Sequence, residues 1–362
     1  MALCPRRLPL IATALVLVTA APHVLAVCAE EPAPNPHEAA ILDRIFANWK
    51  ARHDRVHSLH FTWNSRRTSS RRPHFSGKTL PLHRVEKGEE QHQFGVQVFF
   101  DGDQRYCRVE PPIVRVEQGK PTDTRRVVER LVIDGDTTWR YVAGPRYLWD
   151  RDPPNAHGAV SRTVEPNPTL AGLEGPQALW LTFRPEFPNL SWRRDECRLV
   201  DENATVDEVR CVKIQRVIVP KPGNRPRQER RVESLWVSPV REDVVVHWTV
   251  EARILVIKGS IRYNKDPKFG WVPSEWTREM PSIHNLEECR VTGYSINETI
   301  DPSVFSHQFP PGTPVQDQRG RDKPEGLRHY VVEANGSERA ISQQDYVRLG
   351  PQPEKKPAAP AK

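Results

Sequence analysis

The sequence predicts an α+β fold: a large twisted antiparallel sheet forming a half-open barrel over an N-terminal amphipathic helix and short lid helices. Three observations predict it. Apolar and polar residues alternate through most of the chain, the period of strands that bury one face. Asp-Gly pairs separate such runs at Asp101-Gly102 and Asp134-Gly135, where a two-residue hairpin turn needs positive φ. Long helical periodicity is confined to one segment near the N-terminus, so no helix separates successive strands and a βαβ arrangement is excluded.

Ahead of the folded part, residues 1–26 read as a secretory signal. Arg6 and Arg7 form the positive end, residues 8–21 the apolar run, and Val24-Leu25-Ala26 the cleavage site. The run is too short to span a bilayer, and no later segment is apolar enough to do so. The expected address is periplasmic or secreted. Val27 stands where a lipoprotein box needs a small residue, so lipid anchoring at Cys28 is not expected. The formal charge of +7 falls to +5 without Arg6 and Arg7, and to +3 without residues 351–362. That is a solubility-level charge, and nucleic acid is not an expected partner.

The helix should begin at Asn35 as N-cap, with Pro36 at the first helical position and Glu38 completing a capping box. Ile41, Leu42, Ile45, Phe46 and Trp49 form its apolar stripe, and it should end near His53. Residues 56–64 alternate as a strand with Leu59, Phe61 and Trp63 on one face. Residues 55–85 then carry seven Lys or Arg and no acid. Arg66, Arg67, Arg71 and Arg72 are the candidates there for contact with anions or lipid headgroups, against a plain solvated loop.

Residues 94–110 repeat strand, Asp-Gly turn, strand. Residues 113–116 and 127–133 continue the meander into the hairpin at 131–149, where Trp139 and Tyr141 share a face. Residues 169–187 are apolar but broken by Gly172, Gly175 and Pro176, and read as short lid helices. Strands resume at 191–200, 208–219, 228–237, 244–258, 259–263, 271–279 and 289–296. Residues 305–315 form a proline-locked closing loop, 330–349 an added hairpin about Asn335-Gly336, and 351–362 a tail with nothing to bury.

Of six cysteines, Cys4 leaves with the signal. Cys197 and Cys211 flank a hairpin-like segment and are expected to pair, leaving Cys107 with Cys289; the alternative is four thiols. No nucleophile-elbow, S-x-x-K or P-loop motif occurs, and no acid/base dyad can be assembled, so no catalytic residues are assigned. His53, His57 and His60 approach metal-ligand spacing but lack a further ligand, so neither a metal nor a cofactor is expected. Strand-borne aromatics above an amphipathic helix read either as core or as the lining of an apolar cavity, with Phe61, Trp63, Phe99, Trp139, Tyr141 and Trp236 as the lining candidates.

The signal, the first helix, the VIDGDTTWRY hairpin, and the later segments SLWVSPVREDVVVHWTVEA, GWVPSEW and INETIDPSVFSHQFPPGTPVQD together resemble the LolA/LolB-like, outer-membrane lipoprotein-sorting superfamily, as in secreted planctomycete proteins of this type. The resemblance implies one domain over residues 27–318, an unclosed barrel over helices, and an apolar cavity for acyl chains. It brings no catalytic residues. Residues 319–350 are then an addition. The reading is an exported, non-enzymatic binding protein holding an acyl chain or other apolar ligand between sheet and helices. The alternative is an envelope protein-interaction or sensor module without a cavity.

Overall fold

The computed structural model describes residues 35–69, 90–102, 105–110, 113–117, 120–125, 128–144, 155–162, 177–185, 192–219, 230–253, 256–320 and 326–349. The signal, Cys28, Arg71, Arg72, the start of the expected lid segment and the tail lie outside them. Helix α1 (Pro36–Arg55) leads into β1 (Ser58–Ser69), β2 (Glu90–Asp101), β3 (Arg105–Glu110), β4 (Ile113–Glu117), β5 (Lys120–Arg125), β6 (Val128–Asp134), β7 (Thr137–Gly144) and β8 (Asn155–Arg162). Helix α2 (Gln177–Phe183) precedes β9 (Cys197–Val206), β10 (Val209–Ile218), β11 (Arg231–Ser238), β12 (Val244–Glu251), β13 (Val256–Asp266), β14 (Gly270–Met280) and β15 (Asn285–Ile296). Then come β16 (Pro314–Asp317), β17 (Arg328–Val332), β18 (Glu338–Ala340) and helix α3 (Gln343–Leu349).

Strands β9 to β15 follow one another as antiparallel neighbours. The sheet then jumps back to the N-terminus: β15 pairs with β1, and β1 with β2. It continues through β3, β6, β7 and β8, with the β4–β5 hairpin attached to the far end of β2. Beyond β8 the pairing turns parallel, Val315 opposite Gly158, and β17 and β18 finish the sheet. No register among the described residues joins β9 to β18, so the sheet stays open. One long sheet with helices on one face is the architecture the alternation predicted.

α1 and α2 lie on the same face. The stripe Leu42, Ile45, Phe46 and Trp49 is buried in one cluster with Leu179, Trp180, Leu181 and Phe183 of α2, and with Leu59, Phe61, Trp63, Val98 and Phe100 of the central strands. Phe61 packs on Phe183 with ring centroids 5.7 Å apart, and Phe100 meets Trp180 edge-on at 4.4 Å. Apolar packing of this density supplies most of the favourable free energy. Polar contacts then fix the helix angle: the Trp49 indole donates to the Asp243 carbonyl at 2.7 Å, and Arg52 donates to the Thr182 carbonyl at 3.1 Å.

One glycine is dictated by this packing. Gly259 faces Trp248 across β13 and β12, and a Cβ at Gly259 would stand 2.0 Å from the indole ring.

The opposite face has its own cover. Phe305, Val304 and Ile300 close over Cys107, Val132, Phe99 and Trp139, while Phe309 lies against Val160, Trp139 and Tyr141. The closing loop, not α1 or the lid segment, covers the hairpin of β6 and β7. Alternation decides this: Trp139 stands opposite Val132, and Tyr141 opposite Arg130, whereas Leu131 points toward the helices. The added C-terminal segment also differs from expectation. Its hairpin about Asn335-Gly336 is short, and residues 343–349 are helical.

Candidate ligand groove

The six aromatic candidates do not surround one space. Phe61 and Trp63 are fully buried toward the helices, and Trp63 meets Trp276 edge-on at 5.1 Å. Phe99, Trp139 and Tyr141 are on the other face. Phe99 stacks on His60 at 4.2 Å, and Tyr141 lies 6.5 Å from the Phe309 ring. Trp236 is farther along that face, with Lys213 Nζ over its ring at 4.7 Å and the His247 ring edge-on at 4.8 Å. Period-two alternation splits Phe99 from Phe61, since Phe99 pairs with His60 and Phe61 with Val98.

The two arginine candidates among the described residues, Arg66 and Arg67, are engaged within the protein. Arg66 holds Glu288 through Nε at 2.9 Å and Nη2 at 2.6 Å, and Arg67 reaches Glu287 at 3.1 Å. Sequence reasoning missed these partners because Glu288 lies 222 residues from Arg66, and Glu287 lies 220 from Arg67, both in β15.

The Cys197–Cys211 disulfide is corrected: both are thiols, as are Cys107 and Cys289. The turn of this hairpin falls at Asp207-Glu208, so Cys211 stands opposite Ala204, and Cys197 opposite Arg216. Cysteines placed asymmetrically about a turn cannot meet across the strands. Burial pushes the Cys197 thiol up to about 12. Among the described residues no three His, Cys, Asp or Glu side chains gather as metal ligands.

What the register does bring together is a polar lane on the face away from the helices. Reading across the strands, Gln93, Arg66, Glu288, Thr277, Ser260, His247, Trp236 and Lys213 stand in one row. The neighbouring row on the same face is Asn64, Arg290, Glu275 and Arg262. The first row from Gln93 to Ser260, with the second row, lines an open groove of about 840 Å³ over β2, β1, β15, β14 and β13. Ser65, Cys289 and Trp276 belong to the same strands, but their side chains are buried on the helix side, so alternation leaves their main chain to the floor. The pairing of β10 with β11 ends at Val212, and the hairpin tip beyond it carries Asp207 to the groove wall.

The arginines in the groove are each held by a carboxylate of the groove. Arg290 donates to Glu275 at 2.9 Å, and Arg262 approaches the same carboxylate at 3.4 Å. At the inner end His247 Nδ1 lies 3.0 Å from Ser260 Oγ. Burial lowers the His247 pKa, the Asp207 carboxylate partly opposes that, and Lys258 adds to it. The imidazole is therefore neutral at neutral pH and can share a hydrogen bond with the hydroxyl in either sense.

No known family profile matches the chain, and no curated protein matches it. Solved structures do. A DUF1329 family protein from Desulfovibrio piger is similar at 15% identity, over 74% of this chain and 96% of that one, with a TM-score of 0.38. A putative outer membrane lipoprotein-sorting protein domain from Vibrio parahaemolyticus is similar at 10% identity, over 74% and 97%, with a TM-score of 0.40. The Mycobacterium tuberculosis lipoprotein LppX is similar at 11% identity, over 72% and 97%, with a TM-score of 0.26. No residue role is carried over from them. No described helix is long and apolar enough to cross a membrane.

Proposed function

We propose that the chain is an exported, non-catalytic binding protein that takes its ligand in the groove on the strand face away from the helices. The groove itself carries this reading: about 840 Å³ of open space lined by paired charges, amides and hydroxyls. Such a volume is that of small-molecule sites. The space between sheet and helices, by contrast, holds Trp49, Phe61, Trp63, Trp180 and Phe183 buried in one apolar cluster. Ser260 and His247 make the nearest approach to a nucleophile and base. Their strands' amides are engaged in the sheet, which leaves no donor pair for a developing oxyanion.

A second reading keeps an acyl chain on the helix side. One observation favours it: the Tyr106 hydroxyl and the indole nitrogens of Trp63 and Trp248 are buried there with no hydrogen-bond partner among the described residues. A polar headgroup drawn in with its chain would satisfy such groups. Contact with anionic headgroups through Arg66 and Arg67 is disfavoured by their pairing with Glu288 and Glu287.

Native mass spectrometry of the full chain purified from its own envelope tests both readings, with wild type beside Thr277→Trp. Thr277 is exposed on the groove floor, so the added indole fills the groove without entering the core. A bound species lost in Thr277→Trp supports the groove. A lipid-mass species that survives the substitution overturns it and moves the site under the helices.

A further inference from the structure

We infer that the groove's ligand is an uncharged, hydroxyl-rich molecule, a short neutral oligosaccharide, an inference that rests on the groove being the binding site. Net charge comes first. The lining holds Arg66, Arg262 and Arg290 against Asp207, Glu275 and Glu288, three of each sign. Arg66 is closed on Glu288 at 2.6 Å, while Arg290 and Arg262 converge on Glu275 at 2.9 and 3.4 Å. An anionic ligand drawn to a guanidinium meets the carboxylate already bound to it, and a cationic ligand meets the reverse at Glu288 and Glu275. Neither gains net Coulomb energy from such a surface.

Hydrogen-bonding capacity comes second. Asn64, Gln93, Ser260 and Thr277 stand beside the ion pairs, and each side chain both donates and accepts. Paired guanidinium and carboxylate groups keep spare donors and acceptors on their outer edges. A sugar hydroxyl likewise donates and accepts, so it can replace groove water at nearly every point without leaving a group unsatisfied.

An alkyl chain could not. It would strip water from the arginines and carboxylates and return no hydrogen bond, the costly way to bury polar atoms. Nor does the groove present an exposed aromatic ring among its described lining residues. Its one lining aromatic, Trp276, is turned away and buried against Trp63. Trp236, at the end of the lane, has Lys213 over its ring and is not free for a second stacking partner.

Titration calorimetry on the full chain tests this. The probes are neutral tetrasaccharides of β-linked glucose, α-linked glucose and β-linked N-acetylglucosamine, with tetragalacturonate and myristate as charged and apolar counterparts. The expected result is binding of a neutral tetrasaccharide that weakens at least tenfold in Thr277→Trp. It should change less than twofold between 50 and 500 mM salt, because no net charge is screened.

If Thr277→Trp fails to fold, Gln93→Trp on the opposite wall fills the same space from an exposed position. Tetragalacturonate or myristate binding that is lost in the groove-filling variant, with no neutral sugar bound, overturns the ligand class and leaves the groove standing. Binding of any probe that is indifferent to both groove-filling variants overturns the groove itself. No binding of the neutral tetrasaccharides at 10 mM overturns the inference.

Discussion

Arg67 and Glu287 face each other across β1 and β15 with 3.1 Å between Nη2 and Oε2, at a point where the carboxylate is 2% exposed. Ser65 donates to the other oxygen at 2.8 Å, and Arg278 lies 3.9 Å away. Burial alone would raise this carboxyl's pKa; Arg67, the Ser65 hydrogen bond and Arg278 outweigh it and bring the pKa below its ordinary 4.5. Glu287→Ala removes the anion shared by the half-buried Arg67 and the buried Arg278, so it should destabilise by about 3 kcal/mol. Urea unfolding at pH 7 measures this. Because the folded-state pKa is depressed, the carboxylate's contribution is present above about pH 4.5 and is lost as pH falls through the lower folded value. Glu287→Gln should flatten that acid limb.

Gly259→Ala forces a methyl group against the Trp248 ring, which a Cβ would approach to 2.0 Å. The paired strands cannot slide to make room without breaking their register. Overpacking of this kind should lower stability by about 1–3 kcal/mol. Adding Trp248→Phe to Gly259→Ala should recover part of the loss, a coupling that a double-mutant cycle would read directly. Full additivity would mean that the ring is not what excludes the methyl.

Cys107, Cys197, Cys211 and Cys289 are thiols. Reductant should therefore leave the urea midpoint unchanged. Burial raises the pKa of all four, Cys197 to about 12, and a neutral thiol is a poor nucleophile. Iodoacetamide at pH 8 should label them slowly in the native protein and fully after unfolding, with mass spectrometry giving the count. A linked Cys197–Cys211 peptide would contradict the register of β9 and β10.

His307 holds the closing loop from inside. Its ring packs on Phe309 at 4.4 Å, and neither nitrogen has a hydrogen-bond partner among the described residues. Burial, with Arg130 adding repulsion, pulls its pKa down to about 4 from 6.5. Arg130 in turn donates to the carbonyls of Val304 and Ser306. As pH falls from 6.5 toward 4 the unfolded chain takes up the proton first, so stability declines across that window. With part of the ring wet, the loss should be about 1–2 kcal/mol. His307→Phe should abolish it; an unchanged pH profile would show that the ring is not the titrating group.

The strands were legible because alternation is a local property, and the turn at Asp134-Gly135 was legible because Gly135 takes φ 58° where only a small residue is comfortable. Helix α1 was legible from Pro36 and its apolar stripe, and it extends two residues past His53 to Arg55. Partners were not legible. Nothing near Arg66 signals that Glu288 will stand beside it, and nothing in the 131–149 hairpin signals that Phe305 and Phe309 will cover Trp139 and Tyr141. The groove was hidden for the same reason. Gln93, Arg66, Glu288, Thr277 and Ser260 are unremarkable residues on five different strands, and only the register makes them neighbours. The cysteine pairing failed on a turn position, since Asp207-Glu208 carries no glycine to announce it.

The central place of β1 also sets the order in which the molecule can be built. One edge of β1 finds its partner in β2 almost at once, but the other waits for β15, whose Ile296 pairs with Leu59. Until nearly the whole chain has emerged, a strand carrying Leu59, Phe61 and Trp63 presents an open backbone edge, the template on which misassembly starts. Long-range pairing of this kind makes for slow folding. During that interval Arg66 and Arg67 place positive charge toward the end of the strand, where charge discourages another chain from adding on. The ion pairs with Glu288 and Glu287 form only when the correct strand arrives, so the same two arginines guard the open edge early and latch it shut at the end.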